Sequence, residues 1–294
     1  MNDDKTVIKY DDIPLPEKVS DILKHDIWVG DSFSISMFSS IMSPIKFSAS
    51  AIIFLKRGHC TADLNLIQHD IKAPSIVVVR QGQILTPKAA SPDFDASYIV
   101  MSKRLTDTIF RYINQLPIYP TINRTPVVPL DPNHAIHFSA LHINLKNIIS
   151  DTANPFGYEC VVHSILAFFF RYGHIPFKSG AADFPTSQGR ITDNFLKLVQ
   201  ENFRKERFLG FYASELGISP KHLARTVKAQ TGMTAVSWIE RLVVLEAQVM
   251  LKSSNLNIQQ ISDELNFKSQ SFFGKYFKKF TGMTPSLYQK LGRD

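Results

Sequence analysis

One short pattern is written twice in the last quarter of the chain, about fifty residues apart, and it limits the fold more than any other stretch. The first copy runs Ala213-Ser214-Glu215-Leu216-Gly217-Ile218-Ser219, then Lys221-His222-Leu223-Ala224-Arg225, and closes on Thr231-Gly232-Met233-Thr234. The second runs Ser262-Asp263-Glu264-Leu265-Asn266-Phe267-Lys268, then Phe272-Phe273-Gly274-Lys275-Tyr276-Phe277-Lys278, and closes on Thr281-Gly282-Met283-Thr284. Each copy reads as a short helix, a three-residue turn and a longer amphipathic helix stopped by a glycine C-cap. The pattern predicts two tandem helix-turn-helix units, at about residues 211–232 and 258–282.

The residues between and around the copies support that reading. Ile191, Phe195, Leu198, Val199 and Phe203 share one face of a helix expected over 191–205, with Arg204, Lys205 and Arg207 clustered at its end. Ala213–Leu216 is then the supporting helix of the first unit and Gly217-Ile218-Ser219 its turn. Pro220 stands where a first helical turn tolerates proline, behind Ser219 as N-cap. Leu223 and Val227 point inward, which leaves Lys221, Ala224, Arg225 and Lys228 outside. An apolar helix from Thr234 to Lys252, about 27 Å long at 1.5 Å per residue, separates the units rigidly. In the second unit Ile258 and Ile261 open the supporting helix, and Asn266 replaces Gly217 as a residue that tolerates left-handed backbone. Phe273 and Phe277 point inward, and Ser269, Gln270, Ser271, Gly274, Lys275 and Lys278 remain outside.

These outer side chains suit a DNA major groove. Arginine and lysine donate to guanine O6 and N7, glutamine pairs bidentately with adenine, and serine serves either base. The basic residues beside them, Lys228, Arg241, Lys268, Lys278 and Lys279, are expected on phosphates. Charge is distributed accordingly: residues 1–189 hold 17 basic and 17 acidic side chains, while residues 190–294 hold 16 and 9. The whole surplus of seven positive charges therefore sits on the repeat-bearing segment.

The rest of the 294 residues is long enough for a second domain. Residues 1–24 read as an extended arm with a short helix near Val19–Leu23. From His25 to residue 130 come β-rich segments, Ser34–Phe38, Ala51–Leu55, Ala62–Ile67, Ser75–Arg80 and Ala96–Met101, separated by turn signals such as Arg57-Gly58 and Ser91-Pro92-Asp93. They predict a small sandwich or barrel, of a size that holds one small ligand. His25, His59 and His69 make no metal-binding spacing there, so a metal-dependent barrel enzyme is the weaker reading. From Asp131 to residue 173 the period is helical. His134, Phe138, Leu141, Leu145 and Ile148 form a 4-3 seam, and a second, almost wholly apolar helix follows Asn154-Pro155 and runs from Phe156 to Tyr172. A helix that apolar needs cover on several sides, from the barrel or from a second copy of the chain. His134, His137 and His142 on this pair are expected to be solvated rather than metal ligands. Residues 174–189 carry no sustained period and read as a linker before the domain at 190–294.

Only Cys60 and Cys160 are present, the N-terminus Met1-Asn2-Asp3-Asp4-Lys5 is polar, and the longest apolar run, Val161–Phe170, has ten residues. A membrane span needs roughly twenty. The expectation is a cytoplasmic protein with no signal peptide, no membrane association, no metal and no cofactor.

The stretch from Ile191 to Leu291 resembles the DNA-binding domain of AraC/XylS-type transcription regulators. The second unit carries the more specific likeness: Ile261, Leu265-Asn266-Phe267, Gln270-Ser271-Phe272-Phe273, Phe277-Lys278-Lys279, and Gly282-Met283-Thr284-Pro285 with Tyr288. Arg241-Leu242, Ala247 and Leu251 match the linker helix. The resemblance implies base contacts from Lys221, Ala224 and Arg225 in the first unit and from Gln270, Ser271, Gly274 and Lys275 in the second. Two positions depart from the family pattern: Asn266 stands for the usual glycine, and Gln289 stands where an arginine commonly follows the tyrosine. For the first half the likeness is one of layout: a cupin-like β-barrel that binds an effector, followed by two helices that dimerise.

The expected protein is α+β and non-enzymatic. It is a sequence-specific regulator that acts on double-stranded promoter DNA as a homodimer, with a small-molecule effector of unknown identity and RNA polymerase as further partners. A nonspecific architectural DNA binder is the other alternative.

Overall fold

The computed structural model describes residues 7–8, 23, 25–40, 43–113, 125–172 and 187–291. The expected arm at 1–24, with its short helix near Val19–Leu23, lies outside them apart from residues 7–8 and 23, as does the expected linker up to residue 186. The chain forms two units, Val7–Asp183 and Phe184–Asp294.

The first unit contains β1 (Val7–Ile8), β2 (Ile27–Ser34), α1 (Ile35–Ser40), β3 (Ile45–Phe47), β4 (Ser50–Arg57), β5 (His59–Leu64), β6 (Ile67–Lys72), β7 (Ser75–Val79), β8 (Ile84–Ala90), β9 (Asp95–Met101), α2 (Lys103–Ile113), β10 (Val127–Pro129), α3 (Pro132–Ser150) and α4 (Gly157–Tyr172). The strands make two five-stranded sheets, ordered β1-β3-β8-β5-β6 and β10-β7-β4-β9-β2. Among the described residues the two sheets are not closed into one barrel, so this unit is a β-sandwich backed by helices.

The unbroken apolar runs of β4, β7 and β9 follow from their place in the middle layer. Ala51 and Leu55, Val77 and Val79, and Ala96 and Val100 face the first sheet, packing with Ile45, Phe47, Cys60, Leu64 and Ile71. The alternate residues Ile52, Phe54, Ile76, Ile99 and Met101 face the other way, onto Leu105 and Ile109 of α2, Phe138 and Leu145 of α3, and Val161 and Ile165 of α4. A strand buried on both faces loses the polar alternation of a half-exposed one. Cover for α4 is thus supplied inside the unit. What remains exposed is Ile136 and Ile143 on α3 and Phe170 on α4.

Several strand expectations are corrected. Ser34–Phe38 is not a strand: β2 ends at Ser34 and α1 begins at Ile35, where Ser34 and Ser36 hydroxyls bond each other at 2.8 Å and local serine bonds compete with a ladder. Ala62–Ile67 is not continuous either, because Asn65 and Leu66 take φ of 47° and 74° and turn β5 into β6. Asn65 holds that turn on β8, accepting from the Ile84 amide at 2.8 Å and donating its own amide to the Ile84 carbonyl at 2.9 Å. Strands β1, β3, β6, β8 and β10 and helices α1 and α2 were not expected.

Helix α3 begins as its sequence indicates: Asp131 caps it, accepting from the His134 amide at 2.8 Å, with Pro132 at its first position. His142 is buried rather than solvated, and its Nε2 lies 3.0 Å from the Gly30 carbonyl on β2. Asp31 beside it pairs with Lys146, and that bond holds its carboxyl below the usual carboxylate range.

The second unit is helical: α5 (Ser187–Asn202), α6 (Leu209–Glu215), α7 (Pro220–Thr231), α8 (Ala235–Ser253), α9 (Ile258–Glu264), α10 (Gln270–Thr281) and α11 (Pro285–Lys290). Helix α5 starts within the stretch expected as linker and stops three residues before the expected end at 205. Phe195, Tyr212, Leu223 and Val227 are fully buried around the first helix-turn-helix, and Ile261, Leu265, Phe273 and Phe277 around the second. Each such side chain contributes about 1.5–3 kcal/mol of burial. Helix α8 runs between them with Trp238, Ile239, Leu242, Val243, Leu245, Ala247, Val249 and Leu251 buried, and it packs on α5, α7, α9, α10 and α11. A helix apolar around its circumference is what a rod touching both units requires.

Candidate nucleic-acid interface

Both turns are built by the same hydrogen bonds. In the first, Gly217 takes φ 64°, its amide donates to the Ser214 carbonyl at 3.0 Å, and the Ile218 amide donates to Ala213 at 3.0 Å. In the second, Asn266 takes φ 54°, its amide donates to Asp263 at 2.9 Å, and the Phe267 amide donates to Ser262 at 2.9 Å. The paired bonds satisfy the last carbonyls of α6 and α9 and require left-handed backbone at one residue. Ser219 and Ser269 then cap α7 and α10, each accepting at 3.2 Å, from the amides of His222 and Phe272. Gly232 and Gly282 close the two helices at φ 73° and 76°.

Those caps fix where the outer side chains stand. Lys221 and Arg225 lie exposed in the first half of α7, Ala224 is half-buried between them, and Lys228 is exposed one turn on. Gln270, Ser271 and Lys275 are exposed on α10, with Gly274 half-buried and Lys278 and Lys279 exposed toward its C-terminus. Lys268 is exposed just before α10, and Arg241 is exposed on α8. Among the described residues none of these cations is in a salt bridge. Lys279 does lie over an aromatic ring, its ammonium 4.9 Å from the Phe280 centroid. Phe272 is also exposed, at 62%, beside Ser271 on the same helix.

The cationic cluster after α5 divides differently from its sequence appearance. Arg204 pairs with Glu246, a fully buried carboxylate on α8. Arg207 donates to the Leu265 carbonyl and lies 3.8 Å over the Phe267 ring, and its burial lowers its pKa from the ordinary value. Both arginines are therefore used inside the domain, and only Lys205 of the three is exposed. Glu246, a carboxylate between Leu245 and Ala247 in the apolar part of α8, was the sequence signal for an internal cationic partner. Gln289 likewise serves structure, its Nε2 donating to the Leu256 carbonyl at 3.3 Å. Among the described residues no group of three or more His, Cys, Asp or Glu side chains is arranged to hold a metal. No helix among them is long and apolar enough to cross a membrane.

Residues 212–291 match the model of a helix-turn-helix domain family. Over 94 residues, 32% of this chain, the sequence is 36% identical to histidine kinase P4 of Formosa agariphila. Over 107 residues, 36% of this chain, it is 31% identical to the HTH-type transcriptional activator RhaR of Escherichia coli strain K12. The chain spans 7% of the kinase's length and 38% of RhaR's, so the likeness to both is one of segments. A solved structure of ToxT from Vibrio cholerae aligns over 90% of this chain and 98% of its own, at 14% identity and a TM-score of 0.47. Residues 212–291 are thus a helix-turn-helix domain by the family model they match.

Proposed function

We propose that the protein is a sequence-specific DNA-binding transcription regulator in which α7 and α10 each enter a major groove. The observation that carries this reading is the pair of identically built turns presenting exposed, unpaired cations on the first half of each recognition helix. Lys221, Ala224 and Arg225 read bases from α7, and Gln270, Ser271, Gly274 and Lys275 read them from α10. Lys228, Arg241, Lys268, Lys278 and Lys279 hold phosphates, which set register and carry no sequence information. Two readers on one body reach successive major grooves on one face of B-DNA, about 34 Å apart, or bend the duplex to do so.

The same proposal gives the first unit a regulatory role. Residues 25–130 act as a cupin-like effector-sensing domain for a small molecule of unknown identity. Residues 131–173 act as the dimerisation segment, with Ile136, Ile143 and Phe170 as the exposed apolar side chains that a second copy would cover. Residues 174–189 join them to the DNA-binding domain at 190–294. This reading assigns the chain no catalytic role, places its work in the cytoplasm, and leaves RNA polymerase as a partner reached from promoter DNA.

Selection from a random-sequence duplex library, followed by titration at several salt concentrations, tests the reading. An enriched site bound well above scrambled DNA is expected. Equal affinity for scrambled DNA at every salt concentration would reduce the protein to a nonspecific architectural binder.

A further inference from the structure

Helix α8 is the covalent connection between the two helix-turn-helix units and packs on helices of both. The structure contains a second connection. Residues 205–207, which lead into α6, are bonded to residues 265–267, the turn that leads into α10. Asn266 Nδ2 donates to the Lys205 carbonyl at 3.1 Å. Arg207 donates to the Leu265 carbonyl, and its guanidinium lies over the Phe267 ring at 3.8 Å and near the Tyr276 ring at 6.0 Å. Tyr276 in turn donates from its hydroxyl to the Glu240 carbonyl on α8 at 3.3 Å. Arg204 closes the same corner by pairing with buried Glu246.

We infer that Arg207 and Asn266 are positioning residues that fix the phase between the two DNA-reading helices, so that the spacing of the two half-sites becomes part of what the protein recognises. The inference rests on the functional reading above. Its physical basis is that the tie grips the turn immediately before Ser269 and Gln270, where the entry angle of α10 is decided. A rotation of α10 relative to α7 must break the Arg207 and Asn266 bonds and lift the guanidinium from an aromatic face, a contact stronger where it is partly desolvated. Asn266 does two things at once: like a glycine it takes the left-handed turn, and unlike a glycine it carries an amide that reaches the Lys205 carbonyl. The family departure at that position thus has a structural use.

The test uses the full-length protein and a duplex enriched from the random library, with the two half-sites located by footprinting. One base pair is then inserted between them, which displaces the second half-site along and around the helix. The wild type is expected to lose about a hundredfold in affinity on the insertion, the scale of discarding several matched base pairs. Asn266→Gly, which keeps the left-handed turn, and Arg207→Met, which keeps an apolar stem over Phe267, are expected to bind the original duplex within about threefold of wild type. On the inserted duplex their combination should lose only about tenfold. Arg207→Lys alone should restore part of the discrimination. If R207M folds poorly, N266G alone carries the comparison, with a smaller relaxation in the same direction. Variants that discriminate the insertion as sharply as wild type would show that α8 alone sets the phase and overturn the proposal. A wild type that enriches a site but tolerates the insertion overturns it too, leaving the functional reading intact. No enriched site at all would remove that reading and this inference with it.

Discussion

Arg225 and Lys275 occupy comparable places, in the first half of a serine-capped helix, among different neighbours. Arg225 stands with Lys221 and Lys228 on a reading face that is nearly all cationic, whereas Lys275 shares its face with Gln270, Ser271 and half-buried Gly274. A planar guanidinium donates bidentately to guanine, while an ammonium acts more as a point charge. Arg225→Ala and Lys275→Ala are each expected to cost about 1–3 kcal/mol of specific binding and to relax base preference at different positions of the site. Quantitative binding to a panel of single-base variants of the selected duplex checks this, and unchanged profiles for both would remove the groove assignment. Gly217 shows how far residue type alone reaches. At φ 64° an added Cβ meets nothing within 4 Å, so Gly217→Ala should lose only the backbone preference, about 1–2 kcal/mol in a thermal melt.

At the scale of elements, the helical half was legible because its signals are local: a capping serine, a proline at the first helical position and a left-handed residue after the last. Ser219, Pro220, Gly217 and Asn266 each announce a boundary within three residues of themselves. The sandwich was less legible because its partners are remote in sequence. Strand β8 carries Pro87, Lys88, Ala89 and Ala90, a poor strand former by composition, and is held by β5 and β3. Leu66 gives no sign of its left-handed turn, since the bond that holds it comes through Asn65 from Ile84. The Arg207 tie was invisible for the same reason: its acceptor is a backbone carbonyl 58 residues away. His142, misread as solvated, joins α3 to β2. Burial holds its pKa below the ordinary 6.5, against a smaller opposing effect of the Gly30 hydrogen bond. The unfolded chain therefore takes up a proton first as pH falls below 6.5, and folded stability drops between that value and the lower folded pKa. His69 is shifted in the same direction by burial. Thermal melts from pH 8 to about pH 5.5 should show the first unit losing stability with acid. His142→Gln should make that loss shallower, and an unchanged slope would rule His142 out as a source of the dependence.

Across the whole molecule the decisive asymmetry is electrostatic. The first 189 residues are neutral and the last 105 carry the entire surplus of seven positive charges. Counting the surplus from sequence overstates what reaches DNA, because Arg204 and Arg207 are occupied inside the domain by Glu246, Leu265 and Phe267. Of the cations left exposed, Lys221, Arg225, Lys228, Lys268, Lys275, Lys278 and Lys279 lie on the two reading helices or directly before one, so phosphate neutralisation should be concentrated there. Each phosphate contact releases condensed counterions and contributes about 0.9 to the slope of log affinity against log salt. Lys279→Ala should therefore lower that slope by about one while weakening selected and scrambled duplexes alike. Arg204→Met should leave the slope unchanged and instead lower the melting temperature, because it removes the arginine that pairs with a buried carboxylate. Measuring the slope by fluorescence anisotropy for both variants separates the two kinds of cation. A reduced slope for the Arg204 variant would return that residue to the DNA face, and an unchanged slope for the Lys279 variant would take that lysine off it.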